Sequence, residues 1–446
     1  MSFPRYPKYK PSGVEWLGEV PAHWEVTRLK RVCAASPSNV DKKSYDGEQP
    51  VRLCNYTDVY YNDFITADLD FMAATAAPAQ IEKYTLRAGD IIITKDSETA
   101  DDIAIAAFVP KDLPGVVCGY HLSLIRPLAG TAGAFVKWWF ASRFAKSAFA
   151  VRSNGLTRVG LGQHELENVE LAFPALPEQR AIAAFLDRET AKIDALVAEQ
   201  EKLIELLAEK RQAVISHAVT KGLNPAAPMK PSGVEWLGDV PAHWEVKLIK
   251  RLSPVLRGAS PRPIDDPKYF DDEGEYSWVR IADVSASDGE LLSTPQRLSN
   301  LGSSLSVKLE PGSLFVSIAG TVGKPCISRI KACIHDGFVY FPRLAIEADW
   351  LYRIFAAGLC YGGLGKLGTQ LNLNTDTIGG IHVPLPPATE RRAIAAFVDA
   401  ETTKMEAFVA EAEKGIELLR ERRSALISAA VTGQIDVRHT SPELVA

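Results

Sequence analysis

No run of about 18 apolar residues occurs in this chain of 446 residues, so the sequence offers no membrane-spanning helix. The opening Met1-Ser-Phe-Pro-Arg-Tyr-Pro7 lacks the apolar core of a secretion signal, and a cytoplasmic location is expected. The six cysteines (Cys33, Cys54, Cys118, Cys326, Cys333 and Cys360) never form Cys-x-x-Cys, and no His-x-x-x-His accompanies them. That spacing predicts reduced thiols and no metal site. There is no low-complexity tract and no tail of one charge, while 46% hydrophobic and 24% charged residues are values of an ordinary globular protein. A net charge of −5 excludes a protein that coats nucleic acid by bulk charge, so any nucleic-acid surface must be local.

Catalytic signatures are missing as well. Gly320-Thr-Val-Gly-Lys324 resembles a phosphate loop, but Ile318 stands where the pattern needs its first glycine and Pro325 follows the lysine. Gly-x-Ser-x-Gly, His-Glu-x-x-His and the dinucleotide-binding glycine fingerprint do not occur. The Asn-Pro-Pro-Phe/Tyr motif of methyl transfer is absent too, the one Asn-Pro being Asn224-Pro225. One absence is local: no acidic residue lies between Asp112 and Glu165, a window that holds Arg126, Lys137, Arg143, Lys146, Arg152 and Arg158. Such a gap predicts an anion-facing surface. A weaker counterpart with Arg353 and Lys366 runs from Trp350 to Thr375.

What the chain does contain is itself, twice. Lys10–Val26 returns as Lys230–Val246 with a single change, Glu19 in one copy and Asp239 in the other. Arg180-Ala-Ile-Ala-Ala-Phe-Leu-Asp187 returns as Arg392-Ala-Ile-Ala-Ala-Phe-Val-Asp399. The ends of the two halves are shared and the middles differ, the pattern of a duplicated frame around two divergent cores. His23 and His243 are copied with their tryptophan neighbours, which assigns them to a repeated docking arm.

Each middle reads as α+β. In the first, Val51–Leu53, Asp90–Thr94, His121–Ile125 and Val169–Leu171 are β-rich runs, and Phe135–Lys146 reads as a helix. In the second, Trp278–Ile281, Ser313–Ile318 and Gly337–Phe341 read as strands, with a helix near Trp350–Phe355. Val51-Arg52 and Val279-Arg280 each stand shortly before Asp-Val, and the cores are aligned on that basis.

A proline step, Pro174–Pro177 or Pro384–Pro387, follows each core, and a long helix begins near Glu178 or Glu390. Ile182, Leu186, Ile193, Leu196, Leu203, Leu207 and Val214 follow the alternating spacing of a heptad seam. The second helix carries Ile394, Val398, Met405, Phe408, Leu419 and Leu426. Some 40 residues at 1.5 Å each make a rod of roughly 60 Å, and a rod with one apolar stripe needs a partner. A pseudo-twofold axis exchanging the halves makes the two helices antiparallel. The predicted fold class is therefore α+β: two similar globular domains joined by two long antiparallel coiled-coil helices with an internal pseudo-twofold repeat.

The order Trp-Leu-Gly-x-Val-Pro-x-x-Trp, a variable core, Leu/Val-x-x-Pro-x-x-x-Glu-Gln/Arg-Arg-x-Ile and a long helix, then all of it again, resembles the specificity subunit of Type I restriction–modification systems. The likeness runs from Gly13 to about Val431. It implies a DNA-reading subunit without catalytic activity, whose two target recognition domains each read one half of a bipartite, asymmetric sequence. On this resemblance residues 1–175 and 223–386 are the recognition domains, 176–222 and 387–433 the spacer helices, and 434–446 a tail. It implies as partners double-stranded DNA, two copies of an adenine-N6 methyltransferase subunit and restriction subunits. S-adenosylmethionine, ATP and Mg are expected only in those partners, with no cofactor or metal in this chain.

Direct readout requires Arg, Lys, Asn, Gln, Ser and Thr on loops that reach base edges. The candidates are Arg52, Asn55, Lys95, Arg152, Asn154, Thr157 and Arg158 in the first core, and Arg280, Ser317, Thr321, Lys324, Lys366, Thr369, Gln370 and Asn372 in the second. Two rivals stay open on the residues alone: a structural adaptor with two protein- or glycan-binding heads, and the recognition half of a fused restriction–methylation enzyme.

Overall fold

The structure, a computed structural model, describes residues 3–155, 157–362, 364 and 373–438. It divides into two compact units, Met1–Glu201 with Glu413–Ala446, and Lys202–Ala412. Each is a mixture of small sheets and helices.

The repeated arm folds the same way twice. Tyr9–Pro11 pairs antiparallel with Glu19–Pro21, and Met229–Pro231 with Asp239–Pro241, in the same register. The arm ends on a tryptophan, Trp24 or Trp244, with no solvent exposure. Burying an indole removes roughly 150–250 Å² of surface from water, a contribution of about 4–6 kcal/mol as an upper bound. His23 Nε2 lies 2.9 Å from the Glu178 carboxylate, and His243 Nε2 2.7 Å from that of Glu390. Both glutamates sit in the first turn of a long helix, where a carboxylate is also favoured by the helix dipole. The histidines thus pin each arm to the start of its helix.

Each core is built on two sheets. In the first unit one sheet has the order Ala106–Phe108, Ile91–Thr94, Leu122–Pro127, Cys33–Pro37, antiparallel throughout. The other runs Met72–Ala76, Gln49–Cys54, Leu113–Cys118, Thr85–Leu86, and its central pair is parallel. The second unit repeats that plan. Tyr276–Val279 and Ala332–Ile334 form the parallel pair of a four-stranded sheet beside a five-stranded one.

The structure breaks the helix expected over Phe135–Lys146 into Gly133–Ala141 and Arg143–Ala150. Ser142 is the cause: its backbone is extended, its hydroxyl donates to Trp139 O at 2.6 Å, and it accepts from the Ala145 N–H at 3.2 Å. A serine that offers the backbone such alternatives ends one helix and caps the next.

The long helices span Leu176–Lys221 and Ala388–Val431, 46 and 44 residues. In the first unit Ile182, Leu186 and Ile193 share a core with Leu426, Ile427, Ala430 and Val431. Arg423 bonds Asp194 at 2.9 Å and Arg420 bonds Glu201 at 3.1 Å, so numbers rise on one helix as they fall on the other. That is antiparallel packing. In the second unit Ile215, Ala218 and Val219 pack with Ile394 and Val398, and Arg211 lies 3.0 Å from Glu406.

Burial along the two heptad stripes is uneven. Met405 and Leu426 are buried, Leu207, Val214 and Leu419 are half-buried, and Leu196, Leu203 and Phe408 are 44%, 42% and 57% exposed. Burial concentrates where a globular core adds its own residues to the helix face.

Candidate nucleic-acid interface

In both halves three loops meet at the C-terminal end of the parallel strand pair. The first is the entry to a short helix, Tyr56–Tyr60 or Ile281–Ala286. The Asn55 N–H donates to the Asp58 carboxylate at 2.7 Å, and the Arg280 N–H to that of Asp283 at 2.8 Å. These matched bonds correct the alignment made from sequence. The counterpart of Arg280 is Asn55, whereas Arg52 stands three residues earlier in strand register, opposite Val116 as Ser277 is opposite Ala332.

The second loop leaves the parallel strand: Gly119-Tyr120-His121 in the first half, His335-Asp336-Gly337 in the second. The third follows the neighbouring strand, and the two are tied alike, by Lys95 N–H to His121 O at 3.0 Å and Ile318 N–H to Gly337 O at 2.8 Å. His121 adopts a left-handed backbone, φ 73°. For a non-glycine residue that conformation costs about 1–2 kcal/mol. A 2.6 Å bond between His121 Nδ1 and the Asp96 carboxylate holds it. Strain retained at a loop junction is a mark of a functional position. Lys95 Nζ lies 4.9 Å from the centre of the exposed Tyr120 ring. Val159–Gly160 pairs with Asp96–Ser97, and Asn154 bridges to Gly160. Lys95, Asn154, Tyr120 and His121 are thereby gathered, and exposed Thr157 and Arg158 lie on the same loop as Asn154.

Other candidates are held by local work. Arg52 is exposed, yet it donates to Pro114 O at 3.3 Å and lies over the Phe71 ring. Arg152 faces Glu165 at 4.0 Å and Glu170 at 3.8 Å and lies 5.6 Å from the Trp16 ring. Ser317 is fully buried, its hydroxyl bonding the carbonyls of Thr321 and Lys324 within its own loop. The Lys324 ammonium donates to Ser285 O and Ser287 O at 2.8 and 2.7 Å, capping the end of the short helix. Thr321 is exposed beside Ser285. Arg280 is exposed and bonds Gln296. Lys366, Thr369, Gln370 and Asn372 lie outside the described residues.

Several basic residues of the acid-free window are partnered in three dimensions by groups from elsewhere in the fold. Arg126 is bonded twice to Asp90, at 2.9 and 2.7 Å, and Arg143 to Ser424 and Ser428. Lys137 is buried 3.6 Å from the centre of the Trp138 ring. Lys146 and Arg158 remain at the surface. Sequence reasoning passed over Asp96, Tyr120, His121, Trp278 and His335. The one signal for them was their place at matched strand junctions.

All six cysteines are free and buried. Burial pushes the Cys33 and Cys360 thiols up to about 12 and those of Cys326 and Cys333 up to about 11. Among the described residues no group of His, Cys, Asp and Glu converges as for a metal ion, and no helix is long and apolar enough to cross a membrane.

Residues 21–206 match the family model of the Type I restriction modification DNA specificity domain. The chain is 23% identical over 431 residues to a putative type I restriction enzyme MjaX specificity subunit of Methanocaldococcus jannaschii, covering 95% of this chain and 96% of that one. It is 21% identical to the StySPI specificity subunit of Salmonella potsdam, with 96% and 93% covered. Among solved structures, a chain from a study of type I R-M complex assembly and conformational transition superposes with a TM-score of 0.72 at 18% identity, covering 92% of this chain and 98% of that one. The HsdS subunit of Thermoanaerobacter tengcongensis gives 0.55 at 18% identity, covering 93% and 98%. In its duplicated arms, matched cores and paired long helices, and in the specificity-domain match over residues 21–206, the chain is similar along nearly its whole length to the specificity subunits of Type I restriction–modification systems.

Proposed function

We propose that this chain reads a split, asymmetric DNA sequence, one half-site per core, and positions adenine-N6 methyltransferase subunits, two per complex, on the duplex between them. Residues 1–175 and 223–386 act as the recognition domains, and the helices of 176–222 and 387–433 as the ruler that sets the unread gap. The observation that carries this reading is the matched loop junction. One backbone plan presents Asn55, Lys95, Tyr120 and His121 in the first half and Arg280, His335 and Asp336 in the second. Identical scaffolds with different hydrogen-bonding groups at equivalent positions suit two different base sequences.

In this reading the chain takes no cofactor of its own. S-adenosylmethionine belongs to the methyltransferase subunits, ATP and Mg to restriction subunits, and the complex works in the cytoplasm. Sequencing the methylated adenines of a host that expresses the chain with its methyltransferase tests it. A motif of two unlike half-sites at a fixed gap is expected, and a contiguous or palindromic motif overturns it. Replacing residues 247–385 by those of a relative should change one half-site and preserve the other. Methyl transfer by the purified chain alone would contradict the division of labour.

A further inference from the structure

At the C-terminal end of the parallel pair in the second unit lies a cleft of about 490 Å³, lined among others by Arg262, Asp265, Trp278, Arg280, His335 and Asp336. Trp278 is buried and the His335 ring leans on it at 5.8 Å. His335 Nδ1 accepts from the Gly337 N–H at 2.9 Å, so the proton of the neutral ring is on Nε2, which makes Nε2 a donor. Burial holds the imidazolium below its ordinary pKa and keeps the ring neutral near pH 7.

The acceptors of Asp336 are engaged. Its Oδ1 accepts from Ser260 at 3.3 Å and its Oδ2 from Arg262 at 2.9 Å. Arg280 is exposed and bonded through Nη2 to Gln296, which leaves a fork of N–H groups. The cleft therefore offers donors from two arginines and one histidine, and one carboxylate, Asp265, from an exposed loop. In the major groove guanine presents two acceptors, N7 and O6, and its cytosine partner one amino donor. Adenine would turn its own amino group toward these donors.

We propose, on the DNA-reading function above, that this cleft reads one G·C pair of the second half-site: Arg280 donates to guanine N7 and O6, and Asp265 accepts from the cytosine amino group. Arg262, neutralised by Asp336, walls the cleft. The position of Arg280 suits the task because its backbone N–H, and not its side chain, holds the turn.

The test uses the complex of the full chain with its methyltransferase subunit, acting on a library of duplexes with every base pair randomised in turn. Arg280→Ala should reduce the G·C preference at one position of one half-site by about 5- to 150-fold. Asp265→Ala should relax the same position, and the other half-site should stay as in the wild type. A uniform loss of methylation without a change of preference would assign Arg280 to a phosphate and overturn the proposal. So would an unchanged motif in both variants, although the wild-type split motif would still stand. A wild-type complex without any split motif would remove the functional reading, and this one with it.

Discussion

A Cβ placed on Gly222 would stand 3.0 Å from Cζ2 of Trp244, so the end of the first long helix seats directly on the buried indole of the second arm. The first arm is seated the same way at the end of the second long helix. There a Cβ on Gly433 would lie 3.3 Å from Cη2 of Trp24 and 2.4 Å from Cδ of Pro21. Both glycines have a left-handed backbone, φ 74° and 75°. Gly222→Ala should lower the unfolding free energy by about 1–2 kcal/mol for backbone strain. Gly433→Ala should cost more, roughly 3 kcal/mol, because a proline ring must also shift. Urea denaturation of the two variants checks the order, and equal losses would contradict it.

Lys137 is nearly inaccessible, with its ammonium 3.5 Å from Asp63 and packed on Trp138. Burial holds its pKa below the ordinary 10.5. Between that lowered value and 10.5 the unfolded chain binds more protons than the folded one, so stability rises with pH through this window. Lys137→Met should raise stability at pH 7 by about 1 kcal/mol and flatten that rise. Denaturation curves at pH 7 and pH 9.5 decide it. A less stable variant at pH 7 would mean that the ring and Asp63 outweigh the desolvation.

The thiols should be silent. With values pushed up to about 11 or 12 at Cys33, Cys326, Cys333 and Cys360, and all six side chains buried, alkylation of the folded chain at pH 8 should label none within minutes. All six should react once the chain is unfolded. Rapid labelling of the native protein would show an opening that the structure does not contain.

Much of the frame was legible because periodicity and repetition act over many residues. The repeated arms, the two long helices and the seven strands read from the sequence agree with the structure to within a few residues, although these are only seven of the 27 strands among the described residues. The heptad stripe gave the face of the helices but not the depth of burial, since Leu196, Leu203 and Phe408 lie where no globular core covers them, while Ile215, Val219 and Ile427 gain burial from a domain. The candidate interface was harder to read. Residue type alone could not reveal that Ser317 is spent on its own loop or that Lys324 caps a helix. Nor could matching dipeptides reveal that Asn55 is the partner of Arg280, because that equivalence resides in backbone hydrogen bonds.

If the long helices set the gap between half-sites, four residues inserted after Leu203 add about 6 Å of rise and turn the following segment about 40° beyond a full turn. That is close to two base-pair steps. The methylated motif should keep both half-sites and lengthen its gap, or methylation should fail. Adenine methylation mapped in a host carrying the insertion variant reads out the gap, and an unaltered gap would remove the helices as the ruler.

The carboxylates of Asp58 and Asp283 fasten their turns through the backbone N–H of the residue three places earlier. Every amino acid but proline carries that N–H. The amide side chain of Asn55 and the guanidinium of Arg280 are therefore interchangeable as far as the turn is concerned, and a third residue type would be held as well. A position so anchored can drift through the genetic alphabet while the scaffold stays folded, and if it reads DNA as proposed above, new specificity can arise there one codon at a time.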